Sequence, residues 1–195
     1  MSTQTHTDNS SLSLKVAVSR WVWDHIPERR VLDLFCGQQG WMYQGIWHEA
    51  SEYLGVDKFR PHRLATTLKV SAERAVGTFD LSCYTIFDVD TYTTPWVVAR
   101  RICVRRGPGR FGMALTLGDE RGLKNGHSNE ITRRMIGASG LSDYRLLVRY
   151  RQFIQGLLLR SIGEMPGITL VEAVKGEVVK QSTITYIGLV VDKQV

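Results

Sequence analysis

A chain of 195 residues with 43% apolar and 23% charged residues has the make-up of a soluble globular protein, long enough to bury one real core without disulfides. Its longest apolar runs are only a few residues, which excludes a membrane span, and three cysteines, Cys36, Cys83 and Cys103, form neither an even disulfide framework nor a metal-ligand spacing. The formal charge of +6 suits a polyanionic partner but is also common in proteins that bind none.

Met1–Ser11 is polar and rich in Ser and Thr. It lacks the basic start and apolar centre of a secretory signal, so it reads as a disordered arm before one domain over 12–195, in a reduced, cytoplasmic setting. Leu14, Val18, Trp21, Val22 and Ile26 recur at helical spacing until Pro27, which predicts a first helix. Strand one is expected at Val31–Phe35, a helix over Trp41–Ala50 and strand two over Tyr53–Asp57. A short helix is expected from Pro61 to Leu68, then a third strand at Leu68–Ala75.

Tyr84–Asp90 reads as the fourth strand, Pro95–Val104 as a helix and Phe111–Leu117 as the fifth strand. The loop Gly118–Asn129, with Gly122 and Gly126, is a candidate lid ahead of a basic helical segment near Glu130–Ile136. Ser142 is a plausible N-cap for a long helix whose apolar stripe runs from Leu146 to Leu158 and which Gly163 ends. Ile168–Val174 and Thr183–Val191 look like a hairpin joined through Gly176. Strands alternating with helices imply an α/β, doubly wound, mostly parallel sheet, to which the hairpin adds an antiparallel last strand.

The densest information lies in Asp33-Leu34-Phe35-Cys36-Gly37-Gln38-Gln39-Gly40, followed by Gly55-Val56-Asp57. An apolar run ends in an acid and a glycine-bearing turn, and a second ends in another acid. A nucleoside-containing cofactor needs this arrangement, because glycines let backbone approach the ligand and the distal carboxylate can accept ribose hydroxyls. The turn lacks the first glycine of the dinucleotide fingerprint. Asp33 inside it would repel a pyrophosphate and suits a positively charged methionyl group better.

The order of elements and these motifs resemble class I S-adenosylmethionine-dependent methyltransferases, with seven strands and the last antiparallel, over nearly the whole chain from Ser13. The resemblance implies S-adenosylmethionine as cofactor. It implies cofactor contacts from Asp33, Phe35, Cys36, Gly37, Gln38 and Gly40 in the turn, Asp57 and Lys58 after strand two, Glu73 in strand three and Asp88 in strand four. Gln38 departs from the small residue many members carry.

Strand four ends Phe87-Asp88-Val89-Asp90-Thr91-Tyr92-Thr93-Thr94-Pro95-Trp96. This resembles the reactive motif of amino-methylating nucleic-acid enzymes, most closely the Asp-x-Asp-Pro-Phe/Tyr-Gly-x-Pro of tRNA guanine-N2 dimethyltransferases. Thr91 and Thr93 replace the motif's Pro and Gly. An exocyclic amine conjugated to a ring is a poor nucleophile, and a carboxylate accepting its N–H orients its lone pair. The resemblance thus implies a catalytic set of Asp90, the reactive carboxylate, Tyr92, which can stack on the base, Asp88 and Pro95. Asp-Leu-Phe-Cys-Gly is also common in DNA cytosine-C5 methyltransferases, but the place of their nucleophilic cysteine holds Thr91-Tyr92-Thr93, which rules out that chemistry.

Basic residues sort by sheet edge. Arg100, Arg101, Arg105, Arg106 and Arg110 gather near the start of strand five, opposite the cofactor edge, and read as a solvated or partner-binding surface. Lys58, Arg60, His62 and Arg63, with Arg121, Lys124 and His127, fall on the reactive edge and could guide a phosphate backbone. Arg133 and Arg134 continue that face or are plain solvent-exposed helix. Methylation of an exocyclic amine in RNA or DNA is the leading expectation. A small-molecule or protein methyltransferase, and an inactive binding module, remain open alternatives. Of the five tryptophans, Trp41 and Trp96 stand next to the expected site loops.

Overall fold

The computed structural model describes residues 12–91, 94–118, 155–177 and 184–195. Seven strands form one sheet: β1 Arg30–Asp33, β2 Glu52–Asp57, β3 Thr67–Lys69, β4 Ile86–Asp90, β5 Gly109–Leu117, β6 Ile168–Glu177 and β7 Thr185–Lys193. They lie in the order β3-β2-β1-β4-β5-β7-β6. β1 to β5 pair in parallel, while β7 runs antiparallel to both β5 and β6. This is the doubly wound sheet with an antiparallel last strand that the sequence predicts.

One face carries α1 Leu12–His25 and α2 Trp41–Gly45; the other carries α3 Ala72–Thr78, α4 Trp96–Arg105 and α5 Gln155–Gly163. Strand alternation divides the core accordingly. Leu32, Phe87 and Val89 pack against α3 and α4, while Val31 and Ile86 pack beneath Val22, Trp23 and Trp47. Helix α1 buries Lys15, Val18, Ser19, Val22 and Trp23, a stripe at three- and four-residue spacing. It lies against β5 and β7 because glycines clear its path. A Cβ on Gly112 would stand 2.4 Å from Val22 Cγ1, and one on Gly188 would stand 2.8 Å from the Trp21 ring.

Several local expectations are corrected. Pro61 opens no helix: 58–66 is an irregular connection, tied by Thr67 Oγ1 donating to the His62 carbonyl at 2.7 Å. The third strand is only Thr67–Lys69, and the expected span runs on through Val70 and Ser71 into helix α3, which starts at Ala72. Ser71 caps that helix by accepting from the Arg74 amide, a local competitor that outweighs the β-like pattern. The helix expected over Trp41–Ala50 stops at Gly45, and Trp47–Glu49 forms a separate 3-10 turn. Gly176 is no hairpin turn; it sits inside β6 opposite Tyr186. The Glu130–Ile136 segment and the first part of the helix expected from Ser142 lie outside the described residues, as does the N-terminal arm.

Among the described residues no helix is long and apolar enough to cross a membrane. Because Gly112 must admit Val22 of α1 and Ile26 just beyond it, Gly112→Ala should destabilise the fold by roughly 1–3 kcal/mol, read as a lower urea midpoint with an unchanged slope.

Candidate functional site

Parallel strands bring the site motifs to one edge. Asp33 at the end of β1 is in register with Asp88 of β4 and with Gly55 of β2, so two carboxylates stand side by side on the face covered by α1 and α2. Asp90, two residues on, shares that face and ends β4.

The turn after β1 is built by glycine. Gly37 and Gly40 both take φ of 60°, and a Cβ on Gly40 would press to 2.9 Å from the His62 ring, so a side chain there meets backbone strain and a clash together. Gln38 and Gln39 are exposed, Phe35 is half-buried and Cys36 is buried. Burial pushes the Cys36 thiol up to about 12, so it stays protonated and unreactive.

Asp33 is 1% exposed, and protein groups take both its oxygens. The Phe35 amide donates to Oδ1 at 3.3 Å and the Tyr53 hydroxyl to Oδ2 at 3.0 Å. Tyr53 Oη also lies 2.9 Å from His62 Nε2, which makes an Asp33–Tyr53–His62 chain beneath the glycine turn. His62 is buried, and that burial holds its imidazole below the usual histidine range. This corrects its expected place among the phosphate-guiding cations: it is a prop for the turn.

Asp57 ends β2, and its Oδ1 accepts from the amides of Phe59 at 2.7 Å and Arg60 at 2.9 Å. Its Oδ2 has no protein partner among the described residues. Lys58, Phe59, Arg60 and Arg63 are exposed around it, the Lys58 ammonium 5.4 Å from the Phe59 ring. Glu73 is exposed in the first turn of α3, not in a strand as the sequence suggests.

Asp88 is fully buried. The Trp47 indole donates to its Oδ2 at 2.8 Å, while Oδ1 has no hydrogen-bond partner. Burial raises the Asp88 carboxyl, Asp90 adds to the rise, and Lys15 opposes it. Burial first and Asp88 second raise Asp33 further. Two adjacent desolvated acids cannot both ionise cheaply.

Lys15 of α1, which the sequence reading did not single out, answers this charge. It is 8% exposed and its Nζ stands 2.5 Å from Asp90 Oδ2. Burial works against its ammonium, yet Asp90, Asp88 and Asp33 outweigh that and carry its titration upward. The available signal was position, since Lys15 extends the Val18–Val22 stripe by one turn. The side chain of Asp90 keeps 34% of its surface exposed.

Thr91 is buried and its hydroxyl donates to the Thr116 carbonyl. Pro95 is buried ahead of α4, and Trp96 is fully buried, so Trp96 is core and not a site aromatic. Trp41 stays 41% exposed beside the glycine turn. Tyr92 and Thr93 lie outside the described residues, as do Arg121, Lys124, His127, Arg133 and Arg134. Among the described residues no cluster of His, Cys, Asp and Glu could hold a metal ion.

The basic cluster at the far edge largely dissolves. Arg105 donates to the Val76 carbonyl, buried Arg106 to the Gly107 and Pro108 carbonyls, and Arg110 to both oxygens of Asp192 at 2.9 Å. Arg100 and Arg101 alone of the five are left exposed without such bonds.

A sheet in the order 3-2-1-4-5-7-6, with a glycine turn after β1 and an acid at the end of β2, is the class I methyltransferase fold. Solved structures share it. The N-methyltransferase NodS from Bradyrhizobium japonicum WM9, in complex with S-adenosyl-l-homocysteine, matches at TM-score 0.58 and 10% identity over 96% of this chain and 90% of its own. The plantazolicin methyltransferase BamL, in complex with a triazolic desmethylPZN analog and SAH, matches at 0.56 and 12% over 96% and 87%. M. jannaschii TYW2 in complex with AdoMet matches at 0.54 and 8% over 98% and 66%. At such identities the likeness is one of fold. No protein-family model matches the chain, and no curated protein does.

The raised Asp88 carboxyl has a measurable consequence. An acid raised in the folded state contributes most stability below its unfolded value near 3.8 and loses it as pH climbs through the folded value. Asp88→Asn keeps an oxygen for Trp47 and cannot ionise. Urea unfolding should show this variant gaining on the wild type as pH rises above about 4; a pH-independent difference would contradict the assignment.

Proposed function

We propose that this chain is an S-adenosylmethionine-dependent methyltransferase acting on an exocyclic amine of a nucleic-acid base. The observation that carries the reading is Asp90: a carboxylate at the end of β4, partly exposed, on the same edge as the glycine turn and Asp57. The residues present suit the cofactor. Gly37 and Gly40 give a turn that a ligand can approach closely, and Asp57 has a free oxygen for ribose hydroxyls after its other oxygen has organised the loop. Asp33, held by Tyr53 and the Phe35 amide, props the turn from beneath, and Phe35 and Cys36 form its first residues. When bound, the cofactor supplies an electrophilic methyl group on a sulfonium.

The protein's part is positioning. Asp90 accepts an N–H of the amine, which turns the nitrogen lone pair toward the methyl donor. Thr91, anchored to Thr116, fixes the end of β4 in place of the motif's proline. Lys58, Arg60 and Arg63, with exposed Phe59, offer phosphate contacts and a stacking face on the same edge. The N-methyltransferase described by NodS supports nitrogen as the acceptor. The resemblance of the motif gives Tyr92 its place on the base and Pro95 its place beside it.

Calorimetry with S-adenosylmethionine should give binding that Asp57→Ala weakens about 10- to 100-fold, the worth of a charge-assisted hydrogen-bond pair. Absence of heat in the wild type would overturn the cofactor assignment. With labelled cofactor and separate RNA, DNA, protein and metabolite fractions, label should enter RNA or DNA and vanish in Asp90→Ala while cofactor binding persists. Label confined to protein or metabolites would move the substrate elsewhere.

A further inference from the structure

The amine chemistry leaves Lys15 without a role, although its placement is costly. A cation in the first turn of a helix opposes the helix dipole, and a lysine only 8% exposed has lost most of its hydration. Its ion pair is with the acceptor of the proposed reaction, at 2.5 Å. One oxygen of Asp90 is therefore already engaged by a fixed positive charge before any substrate arrives. A neutral amine can donate to the remaining oxygen beside that charge. An alkylammonium would bring a second positive charge beside the buried ammonium, at the half-buried Asp90, where repulsion is stronger than in water.

Asp88 lies near Lys15 and acts on its charge without bonding it. Its Oδ1 is buried without a partner, and it lines a shallow cleft with Lys15, Ser19, Thr116 and Tyr186. No other cation among the described residues has an ion pair with Asp90, and the groups facing Lys15 from the sheet are the acids Asp33, Asp88 and Asp90.

We infer that Lys15 is a specificity-determining residue of this edge: seated on Asp90, its ammonium admits a neutral, ring-conjugated amine and excludes an alkylammonium such as a lysine side chain or a polyamine. The inference rests on the reading of Asp90 as the amine acceptor, and its test needs no methyl transfer.

Protein labelled with 13C at aspartate carboxyls, the Asp90 signal assigned by its loss in Asp90→Asn, is titrated with aniline and with n-butylammonium. In the wild type aniline should shift the Asp90 signal at lower concentration than butylammonium does. Lys15→Met should tighten butylammonium binding by on the order of tenfold or more, whereas Lys15→Arg should keep the wild-type preference. Equal butylammonium affinity in wild type and Lys15→Met, including none in either, would overturn the inference, as would an Asp90 signal indifferent to aniline. Should Lys15→Met not fold, Lys15→Gln replaces it; should neither fold, a wild-type preference for butylammonium overturns the inference and the reverse sustains it. Loss of cofactor heat or of label transfer speaks to the enzymatic reading alone.

Discussion

Two carboxylates forced side by side by strand register, Asp33 and Asp88, set the terms for everything packed on their face of the sheet. Neither reaches solvent, so each must be neutralised or supplied with donors from the covering elements. Tyr53 and the Phe35 amide serve Asp33, and Trp47 serves one oxygen of Asp88. Tyr53 reaches Asp33 by lying across Gly55, where a Cβ would stand 2.8 Å from its hydroxyl. Helix α1 then delivers Lys15, and the short α2 ends early enough for the following 3-10 turn to bring Trp47 inward. The acids at this edge of the sheet thereby dictate the packing around them.

Much of this was legible in the sequence, and the reason differs from element to element. The glycine turn and Asp57 could be placed because positive φ and a strand-end acid leave strong local marks. The terminal hairpin and α4 could be placed because their apolar patterns are long. The region between β2 and α3 could not. There the side chain of Ser71 and the buried His62 decide the conformation, and the His62 contact comes from Tyr53, nine residues away. Burial of a histidine among cations leaves no periodic trace, so Lys58-Phe59-Arg60-Pro61-His62-Arg63 reads as uniformly exposed.

Lys15 escaped notice for a related reason. A lysine on an apolar stripe is usually a side chain that bends its charge back to water, and only long-range pairing with Asp90, 75 residues away, reverses that. The arginine cluster fails in the opposite direction. Five arginines close in sequence suggest a charged surface, but backbone carbonyls and Asp192 absorb three of them. Net charge describes the chain, whereas unspent charge describes its surface, and here the exposed cations near the site are Lys58, Arg60 and Arg63.

Lys15 also stands within the first turn of α1, which begins at Leu12. Helix ends fray, opening and closing far faster than a domain unfolds. The partner of Asp90 is therefore held by the least cooperative part of its helix, secured by Val18 and Ser19 one turn further in. Amide exchange in that turn and the occupancy of the ion pair become two readings of one local equilibrium, and whatever stiffens the start of this helix also sets how steadily this edge of the sheet holds its charge.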